Sequence, residues 1–278
     1  SAGLINPAGQ YNTFGGGNPD LEPEESDTIT FGFVATPSFV DGLTVSVDYF
    51  DIDAEGYINT VPEETSLTQC GLTGDPFFCS LVNRGTGGTL WAGQTGFITA
   101  TNLNTGSLAT SGYDIQANYL YDSGAYGSFN FDYVGTILES LEFQSLPDAS
   151  VTPVVDCAGL YAGRCQTNFG TGANPEYRHK ASVTWSPVGG KLFLTGTWRY
   201  YDEVAQENAA PDPINATLDS QNYLDLSARY NLLDNTTVRF GVNNITDEDP
   251  PLSSVVGTAP GNGNTYPQVY DALGRYIF

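Results

Sequence analysis

Basic residues are scarce in this sequence. Nine lysines and arginines stand against 32 aspartates and glutamates, with one histidine, so the formal net charge of the 278 residues is −23. Because phosphate groups bind to positively charged surfaces, this balance excludes nucleic acid as a partner. It also excludes a polybasic anchor on an anionic membrane surface. The acidic excess most simply solvates exposed loops, and the alternative is divalent-cation binding near phosphorylated lipid headgroups.

Long apolar runs are absent as well. No stretch approaches the roughly 18 apolar residues that a transmembrane helix requires. Charged residues make up only 15% of the chain and aromatic residues make up 13%, which is typical of a surface that lipid covers in part. If this chain crosses a membrane, it must therefore cross as strands.

The four cysteines fall into two close pairs, Cys70 with Cys79 and Cys157 with Cys165. Neither pair has the spacing or the histidine partners of a zinc site. Three disulfide connectivities are possible, and the short separations favour bonds within each pair. Two such bonds would each stabilise the fold by about 2–3 kcal/mol and indicate an oxidising compartment.

Apolar and small polar residues alternate along much of the chain. Between Tyr113 and Asp122, apolar residues occupy every second position, with Leu120 as the one exception to the pattern. Because successive side chains of a strand point to opposite faces, such a strand has one apolar and one polar face. Long strands, tight turns alternating with long loops, and aromatic residues near strand ends predict an all-β protein. We expect a transmembrane antiparallel β-barrel with lipid outside and a polar lumen inside.

The pattern contains about nine membrane strands, joined alternately by short turns and long extracellular loops. The longest loop is predicted over 54–95, with a helix or two around the first cysteine pair. A short strand at Phe97–Asn102 follows, and the last strand is predicted at Val269–Phe278. A closed barrel of one bacterial chain has an even number of strands, and an open edge in lipid leaves backbone groups unpaired. With no methionine and no signal peptide at Ser1, we expect an internal start, with further strands supplied from elsewhere.

Five segments resemble TonB-dependent outer-membrane receptors, in the order that this family has them. Together they cover the whole chain, although each is weakly specific alone. They are the N-P-x-L-x-P-E segment in Gly17–Glu24, the strand Gly42–Ile52, the strand start Ser111–Ile115, the G-V-x-N segment in Phe240–Pro251, and the Y-D-x-x-G-R segment Tyr270–Arg275.

The resemblance implies a barrel of about 22 strands around an N-terminal plug, of which residues 1–278 would be the C-terminal portion. The plug and the N-terminal strands would lie outside this chain. Such receptors bind scarce nutrients (metal chelates, cobalamin or glycans) and import them with energy from TonB, which the plug contacts. The implied partners are outer-membrane lipid, the missing plug and strands, TonB and a small nutrient. Neither enzymatic activity nor a cofactor is implied.

Residues of the polar faces would line the lumen wall and hold the plug by hydrogen bonds. On the apolar faces, tryptophan and tyrosine near strand ends predict aromatic belts at the lipid headgroups. The single histidine, His179, falls on an apolar face, where a belt position is a better interpretation than a catalytic base. The predicted lumen residues are Asp114, Gln116, Asn118, Asn130, Asp132, Arg199 and Arg239, and the predicted belt residues are Trp185, Trp198, Tyr200 and Tyr201.

Aromatic residues in the long loops are candidates for ligand contact, because exposed rings on ordered loops often bind ligands. Packing between loops or against the disulfides is the alternative. Asp247 and Asp249 are weak candidates for a calcium site, since they lack the spacing of an EF-hand. The candidate ligand-contacting aromatics are Tyr11, Phe14, Phe77, Phe78, Trp91, Tyr161 and Phe169.

Two other classes of protein fit part of the pattern. A passive porin would need a complete, even barrel without a plug. A secreted soluble β-sandwich, acting as an adhesin or structural protein, would bury the apolar face between two stacked sheets.

Overall fold

The computed structural model describes residues 10–91, 93–146, 151–169, 172–208, 216–254 and 264–278. Eight long strands dominate it: β2 (Glu25–Ala35), β3 (Leu43–Thr60), β5 (Phe97–Asp122), β6 (Ser128–Gln144), β9 (Tyr177–Ser186), β10 (Leu192–Tyr201), β13 (Gln221–Leu233) and β14 (Thr236–Asn243). Seven short strands complete the set: β1 (Thr13–Gly16), β4 (Val82–Asn83), β7 (Val155–Asp156), β8 (Leu160–Tyr161), β11 (Val204–Gln206), β12 (Thr217–Leu218) and β15 (Tyr276–Ile277). The helices are α1 (Glu63–Thr73), α2 (Pro76–Ser80) and α3 (Gly163–Phe169).

The long strands form one open sheet that follows chain order. Its hydrogen-bonded order is β15-β14-β13-β10-β9-β6-β5-β3-β2, so β2 and β15 are its two ends. The pairings from β6 through to β15 are antiparallel. The short strands β8, β11 and β12 form a second, small sheet. None of the helices in the described residues is both long and apolar enough to span a membrane.

Register keeps the two faces of the sheet chemically distinct. Phe131 pairs with Val183, which pairs with Gly196 and then Leu226, so one row is apolar. The adjacent row contains Asp132, Ser182, Thr197 and Asp225 in the same register and points to the opposite face.

The apolar face is exposed. Phe31 is 75% exposed, Phe131 42%, Leu226 50% and Phe240 55%. A continuous apolar surface of this kind marks contact with lipid or with another protein. A soluble sandwich would have placed these rings in a dry centre between two sheets, so that alternative does not describe this fold.

Three strand predictions differ from the structure. β3 continues to Thr60, so residues 54–60 of the loop predicted over 54–95 belong to a strand. The segment predicted as a short strand and a loop before Ser111 belongs to one 26-residue strand, β5. Its first part pairs with β1 and β4, and the Asn104 amide donates to the backbone carbonyls of Glu22 and Gly56 at 2.8 Å each. Tertiary pairing thus extends the strand through Asn102, Asn104 and Gly106, which are residue types of low β-propensity.

The last strand is shorter than predicted, because only Tyr276–Ile277 pairs with β14. The preceding residues turn instead: the N–H groups of Val269 and Tyr270 both donate to the Tyr266 carbonyl. Gly274 then adopts a positive φ of 66°, which suits a residue without a Cβ.

Two compact units divide the described residues, and each has its own core. The first comprises residues up to 27, 53–109 and 143–154. Its core contains Val61, Phe78, Leu81 and Leu146. The Cys70–Cys79 disulfide in this unit joins α1 to α2.

Local sequence explains where these two helices meet. Gly74 ends α1 in the left-handed conformation, with φ 68°. The Asp75 carboxylate then accepts the Phe77 N–H at 2.8 Å, and Pro76 occupies the first turn of α2. The Gly-Asp-Pro sequence therefore breaks one helix and starts the next, as the predicted helices around this cysteine pair require.

The second unit comprises residues 28–52, 110–142 and those from 155 onwards. All of its long strands belong to the open sheet. Its loops have a core of their own around Tyr161, Val204, Leu218, Tyr266 and Tyr270. The Cys157–Cys165 disulfide is fully buried beside Val155 and half-buried Leu141.

Gly112 is required by the close approach of β5 to β6. A Cβ at this position would overlap the Ile137 carbonyl oxygen and lie 2.9 Å from Cζ of Phe50. We expect Gly112→Ala to force the strands apart and to destabilise the sheet by about 1–3 kcal/mol, as overpacking does. The thermal unfolding midpoint in detergent measures this loss.

Gly196→Ala is the matched control. A Cβ there would meet only the Leu226 side chain at 3.6 Å and the Val183 side chain at 4.0 Å, which is ordinary contact. We expect this variant to unfold at the wild-type temperature or above it. Equal melting of Gly112→Ala and wild type would show that β5 and β6 can separate without cost.

Candidate functional site

Arg199 on β10 holds two carboxylates from different parts of the second unit. Its Nε and Nη2 donate to the two Asp225 oxygens at 2.8 and 2.9 Å, and Nη2 also donates to Asp271 at 3.1 Å. Bidentate arginine–carboxylate pairs are among the stronger polar contacts in proteins. We call Arg199, Asp225 and Asp271 the ionic clasp.

The ionic clasp joins the sheet to the last connection of the chain. Asp225 lies on β13 and also accepts the Asn244 N–H, at 2.8 Å, just after β14. The guanidinium of Arg199 lies 4.9 Å from the centre of the Tyr223 ring, and the Asp271 N–H donates to the Tyr223 hydroxyl oxygen at 3.3 Å. The connection after β14 is therefore fastened to the polar face of the sheet.

A buried cluster of tyrosines continues from the ionic clasp into the loops. Tyr161, Tyr266 and Tyr270 are at most 3% exposed, and Tyr201 packs edge-on against both Tyr223 and Tyr270. Burial raises the pKa of Tyr266 to about 12, and burial likewise raises the pKa of Tyr270. The described parts of the long loops in this unit thus pack around a core of their own.

The last two family-like segments lie against each other. Asn244 is fully buried with φ 52°, and its side chain bonds both the N–H and the carbonyl of Glu248 at 2.9 Å. Arg275 closes the turn from outside: its N–H and its Nη2 both bond the Asp247 carboxylate at 3.0 Å. Contacts between the Phe240–Pro251 and Tyr270–Arg275 segments thus help to fix the connection that follows β14.

This contact bears on the proposed calcium site. The Asp247 carboxylate is already paired with Arg275. Within the described ranges, no group of three or more histidine, cysteine, aspartate or glutamate residues is placed to hold a metal ion, and Asp249 therefore has no such group around it.

The second disulfide loop is fixed by another ion pair. Glu207 is 7% exposed, and its carboxylate accepts from the Arg164 N–H at 2.7 Å and from the guanidinium at 2.6 and 2.8 Å. Arg164 lies on α3 beside Cys165. The sequence pattern did not single out either residue, because 43 positions separate them.

The loop aromatics divide into exposed and buried sets. In the first unit, Phe14 is 58% exposed, Phe77 41% and Trp91 37%, and Tyr11 is half-buried. Phe78 and Tyr161 belong instead to the cores of their units, which leaves neither with surface for a ligand and corrects the prediction for these two. The side chain of Phe169 lies outside the described residues.

Polar residues of β5 and β6 form hydrogen-bonded groups across the strands. The Asn118 amide donates to Asp132 at 2.6 Å and to Asn130 at 3.1 Å, and the Asn130 amide donates to Asp132 at 2.6 Å. Thr136 donates to Asp114 at 2.7 Å, while Gln116 is exposed. The Asp132 carboxylate therefore accepts hydrogen bonds from both Asn118 and Asn130 and holds these two side chains together.

Cations gather further along the same face. Lys180, Arg199, Arg229 and Arg239 share the polar positions of β9, β10, β13 and β14. Lys180, Arg229, Asp225 and Asp271 were missed as site residues. The first three occupy the same alternate positions as the predicted ones, so the signal was present, whereas Asp271 has no such signal.

Aromatic residues group at both ends of the apolar face. His179 lies among Tyr133, Tyr177, Trp198 and Tyr200, with its ring centre 4.3 Å from that of Trp198. Near the short turns, the Trp185 indole N–H donates to the carbonyl of Tyr126 at 2.8 Å. Tyr201, predicted for a belt, points to the polar face and packs in the tyrosine cluster.

Comparison with known proteins decides the family. A family model described as the TonB-dependent receptor-like β-barrel matches residues 2–245. This chain belongs to the TonB-dependent receptor family. Members of the family are transporters rather than enzymes, and those with similar structures are outer-membrane proteins.

Solved TonB-dependent receptors share this fold at low sequence identity. The FrpB iron transporter of Neisseria meningitidis is 12% identical, with a TM-score of 0.55, over 96% of this chain and 33% of its own. The second is a variant of the ferric enterobactin receptor PfeA of Pseudomonas aeruginosa, in complex with enterobactin. It is 16% identical, with a TM-score of 0.57, over 96% of this chain and 33% of its own. The siderophore receptor PirA of Acinetobacter baumannii is 15% identical, with a TM-score of 0.54, over 95% and 33%. The chain thus spans about a third of the length of these proteins, and curated protein sequences give no match.

Removal of the cation at the ionic clasp is expected to loosen the last connection of this receptor barrel. In Arg199→Met, the side chains of Asp225 and Asp271, which are 17% and 11% exposed, would lose their counter-charge. Breaking a buried pair costs about 3–5 kcal/mol, and partial exposure lowers our expectation to about 1–3 kcal/mol. Thermal unfolding in detergent measures the loss.

Arg275→Met tests whether any lost ion pair has this effect. Its pair with Asp247 has side chains 48% and 52% exposed, so we expect a loss below about 1 kcal/mol. If the two variants unfold at the same temperature, the ionic clasp is no more important than a surface ion pair.

Alkaline pH is expected to open the tyrosine cluster of this receptor. Because its folded-state pKa is raised to about 12, Tyr266 stays protonated where an unfolded chain, with a pKa near 10, has lost the proton. The stabilisation is therefore complete below about pH 10 and is lost as the pH rises towards about 12. Near-ultraviolet circular dichroism follows the change.

Tyr266→Phe keeps the ring and removes the titrating hydroxyl. We expect this variant to retain more of the near-ultraviolet signal at high pH than the wild type. Tyr126→Phe, at a 76% exposed tyrosine, is the control and should follow the wild type. A wild-type curve from Tyr266→Phe would contradict the role of this hydroxyl.

Proposed function

We propose that residues 1–278 are the C-terminal portion of the barrel of an outer-membrane active-transport receptor. The observation that carries the proposal is the family match over 2–245 on an open sheet whose apolar face is exposed. The ends β2 and β15 would pair with strands of the same receptor beyond this chain. A plug would complete the protein, as the chain's coverage of a third of its solved relatives suggests.

In this proposal the apolar face contacts outer-membrane lipid and the long loops lie outside the cell. Both disulfides occur in long connections, and the aromatic groups at the two ends of the apolar face suit the two headgroup regions. The polar face would line the lumen, where Asp114, Gln116, Asn118, Asn130, Asp132, Arg199 and Arg239 would hold the plug.

The transported solute would be a scarce nutrient: a metal chelate, cobalamin or a glycan. Relatives described as iron transporters and siderophore receptors make a ferric siderophore the first class to test. The exposed rings of Phe14 on β1, Phe77 on α2 and Trp91, with half-buried Tyr11, are the candidates for ligand contact. Transport would require no chemistry: the ligand binds, TonB moves the plug, and the solute passes through the lumen.

The test is uptake by cells that express the full-length receptor. Labelled ferric siderophores, cobalamin and oligosaccharides are offered to cells with and without TonB. We expect one class to be taken up only when both receptor and TonB are present. Uptake that is unaffected by loss of TonB would identify a passive porin, and recovery of the receptor without detergent would exclude a membrane barrel.

The loop aromatics are tested in the same cells with the solute so identified. We expect the double variant Phe14→Ala, Trp91→Ala to bind this solute more weakly, because the contact between the ligand and the two rings would be lost. The amount of receptor in the membrane should be unchanged. Phe39→Ala, in the short turn after β2 and 87% exposed, is the control that should bind as the wild type does. If the double variant binds the solute as tightly as the Phe39→Ala control does, Phe14 and Trp91 are not part of the ligand site.

A further inference from the structure

Two pairs of cations face each other across strands on the polar face. Lys180 on β9 lies directly opposite Arg199 on β10, and Arg229 on β13 lies directly opposite Arg239 on β14. Like charges in directly opposed positions destabilise a sheet. Each pair therefore requires negative charge close by.

Only the first pair has that charge in the described residues. Arg199 is neutralised by Asp225 and Asp271 in the ionic clasp. Neither Arg229 nor Arg239 has a carboxylate within ion-pair distance among the parts of the chain that the structure describes. The chain has 32 acidic residues and nine basic ones, so the lack of a carboxylate partner for these two arginines in the described residues is unexpected.

The surroundings of the second pair form a pocket suited to an anion. It has a volume of about 420 Å³, and its lining contains no aspartate or glutamate. Beside the two arginines and three hydroxyl residues, the lining includes the apolar side chains of Phe193, Ala228, Phe240 and Phe278. The Arg229 guanidinium is held over the Phe193 ring at 3.9 Å. Its Nε is buried and has no hydrogen-bond partner within the described residues, and a buried charged donor without a partner is costly.

Hydroxyl groups provide further contacts in this pocket. Thr184 and Thr195 share one hydrogen bond of 2.9 Å, so one of the two hydroxyls keeps a proton to donate elsewhere. Ser227 also lines the pocket. Two guanidinium groups and these hydroxyls are the donors that proteins use for carboxylate and phosphate oxygens.

We propose that Arg229 and Arg239 form a binding site for an oxyanion of the carboxylate or phosphate class. The inference rests on the proposed function in one respect, that this face lines the lumen. Arg229 lies four residues before the end of β13 and Arg239 three residues after the start of β14, so the site is towards the short-turn end. The oxyanion is either a free solute or a side chain of the receptor outside residues 1–278.

Free oxyanion is tested on the full-length receptor in detergent, with inorganic phosphate and acetate as probes at constant ionic strength. If the source is free solute, we expect either probe to raise the thermal unfolding midpoint of the wild type. In Arg229→Gln and in Arg239→Gln the apparent affinity should fall by about tenfold or more, as loss of a charged hydrogen bond implies. Arg178→Gln removes an exposed cation of the same face that lies opposite Tyr201 and should bind as the wild type does.

An internal carboxylate is tested by carbodiimide cross-linking, which joins a lysine amine to a carboxylate in contact with it. Arg239→Lys keeps the positive charge, so we expect it to fold as the wild type does, and the thermal unfolding midpoint checks this. If the source is internal, mass spectrometry should find position 239 joined to an acidic residue outside residues 1–278. Arg178→Lys, treated in the same way, should not form that link.

The inference is overturned if neither probe raises the midpoint and no such link forms. It is also overturned if Arg178→Gln loses the phosphate effect to the same degree, because the effect would then be that of any cation on this face. TonB-dependent uptake measured on the same receptor keeps the proposed function separate: uptake can persist while this site fails.

Discussion

Backbone hydrogen bonding between neighbouring strands is the constraint on which the rest of this structure depends. In the proposed membrane barrel, backbone groups that face lipid would have no water to bond, so the strands must pair along their length. Pairing also fixes register, and a slip of one residue would exchange the two faces. The row from Phe131 through Val183 to Leu226 stays apolar only because the register of four strands agrees.

The same register controls where charge collects. The chain is strongly acidic, yet five of its nine basic residues occupy polar positions of β9, β10, β13 and β14: Arg178, Lys180, Arg199, Arg229 and Arg239. Acidic and amide groups occupy the corresponding face of β5 and β6, around Asp132. The polar face is therefore divided into an acidic and a basic part, and whatever fills the proposed lumen would meet both.

In the residues that the structure describes, the loops of the second unit are held by buried side chains and ion pairs. Tyr161 and Tyr266 pack edge-on, Glu207 fixes the loop that contains Cys165, and Asp271 binds the last connection to the sheet. The family-like Y-D-x-x-G-R segment is explained in this way: its tyrosine is buried, its aspartate joins the ionic clasp, and its arginine closes a turn.

The sequence by itself determined the strands, their two faces and the local disulfides. The apolar and polar faces of the strands could be read from the chain because alternation with a period of two is a local property that side-chain direction imposes. Tertiary structure alone decided the contacts between distant residues. That Arg199 meets Asp271, that Arg229 meets Arg239, and that Phe78 and Tyr161 are buried depends on register between strands and on how loops fold back, which no local pattern encodes. For the same reason the part of β5 around Asn104 was predicted as loop: the groups that bond this side chain, the carbonyls of Glu22 and Gly56, lie far away in the chain.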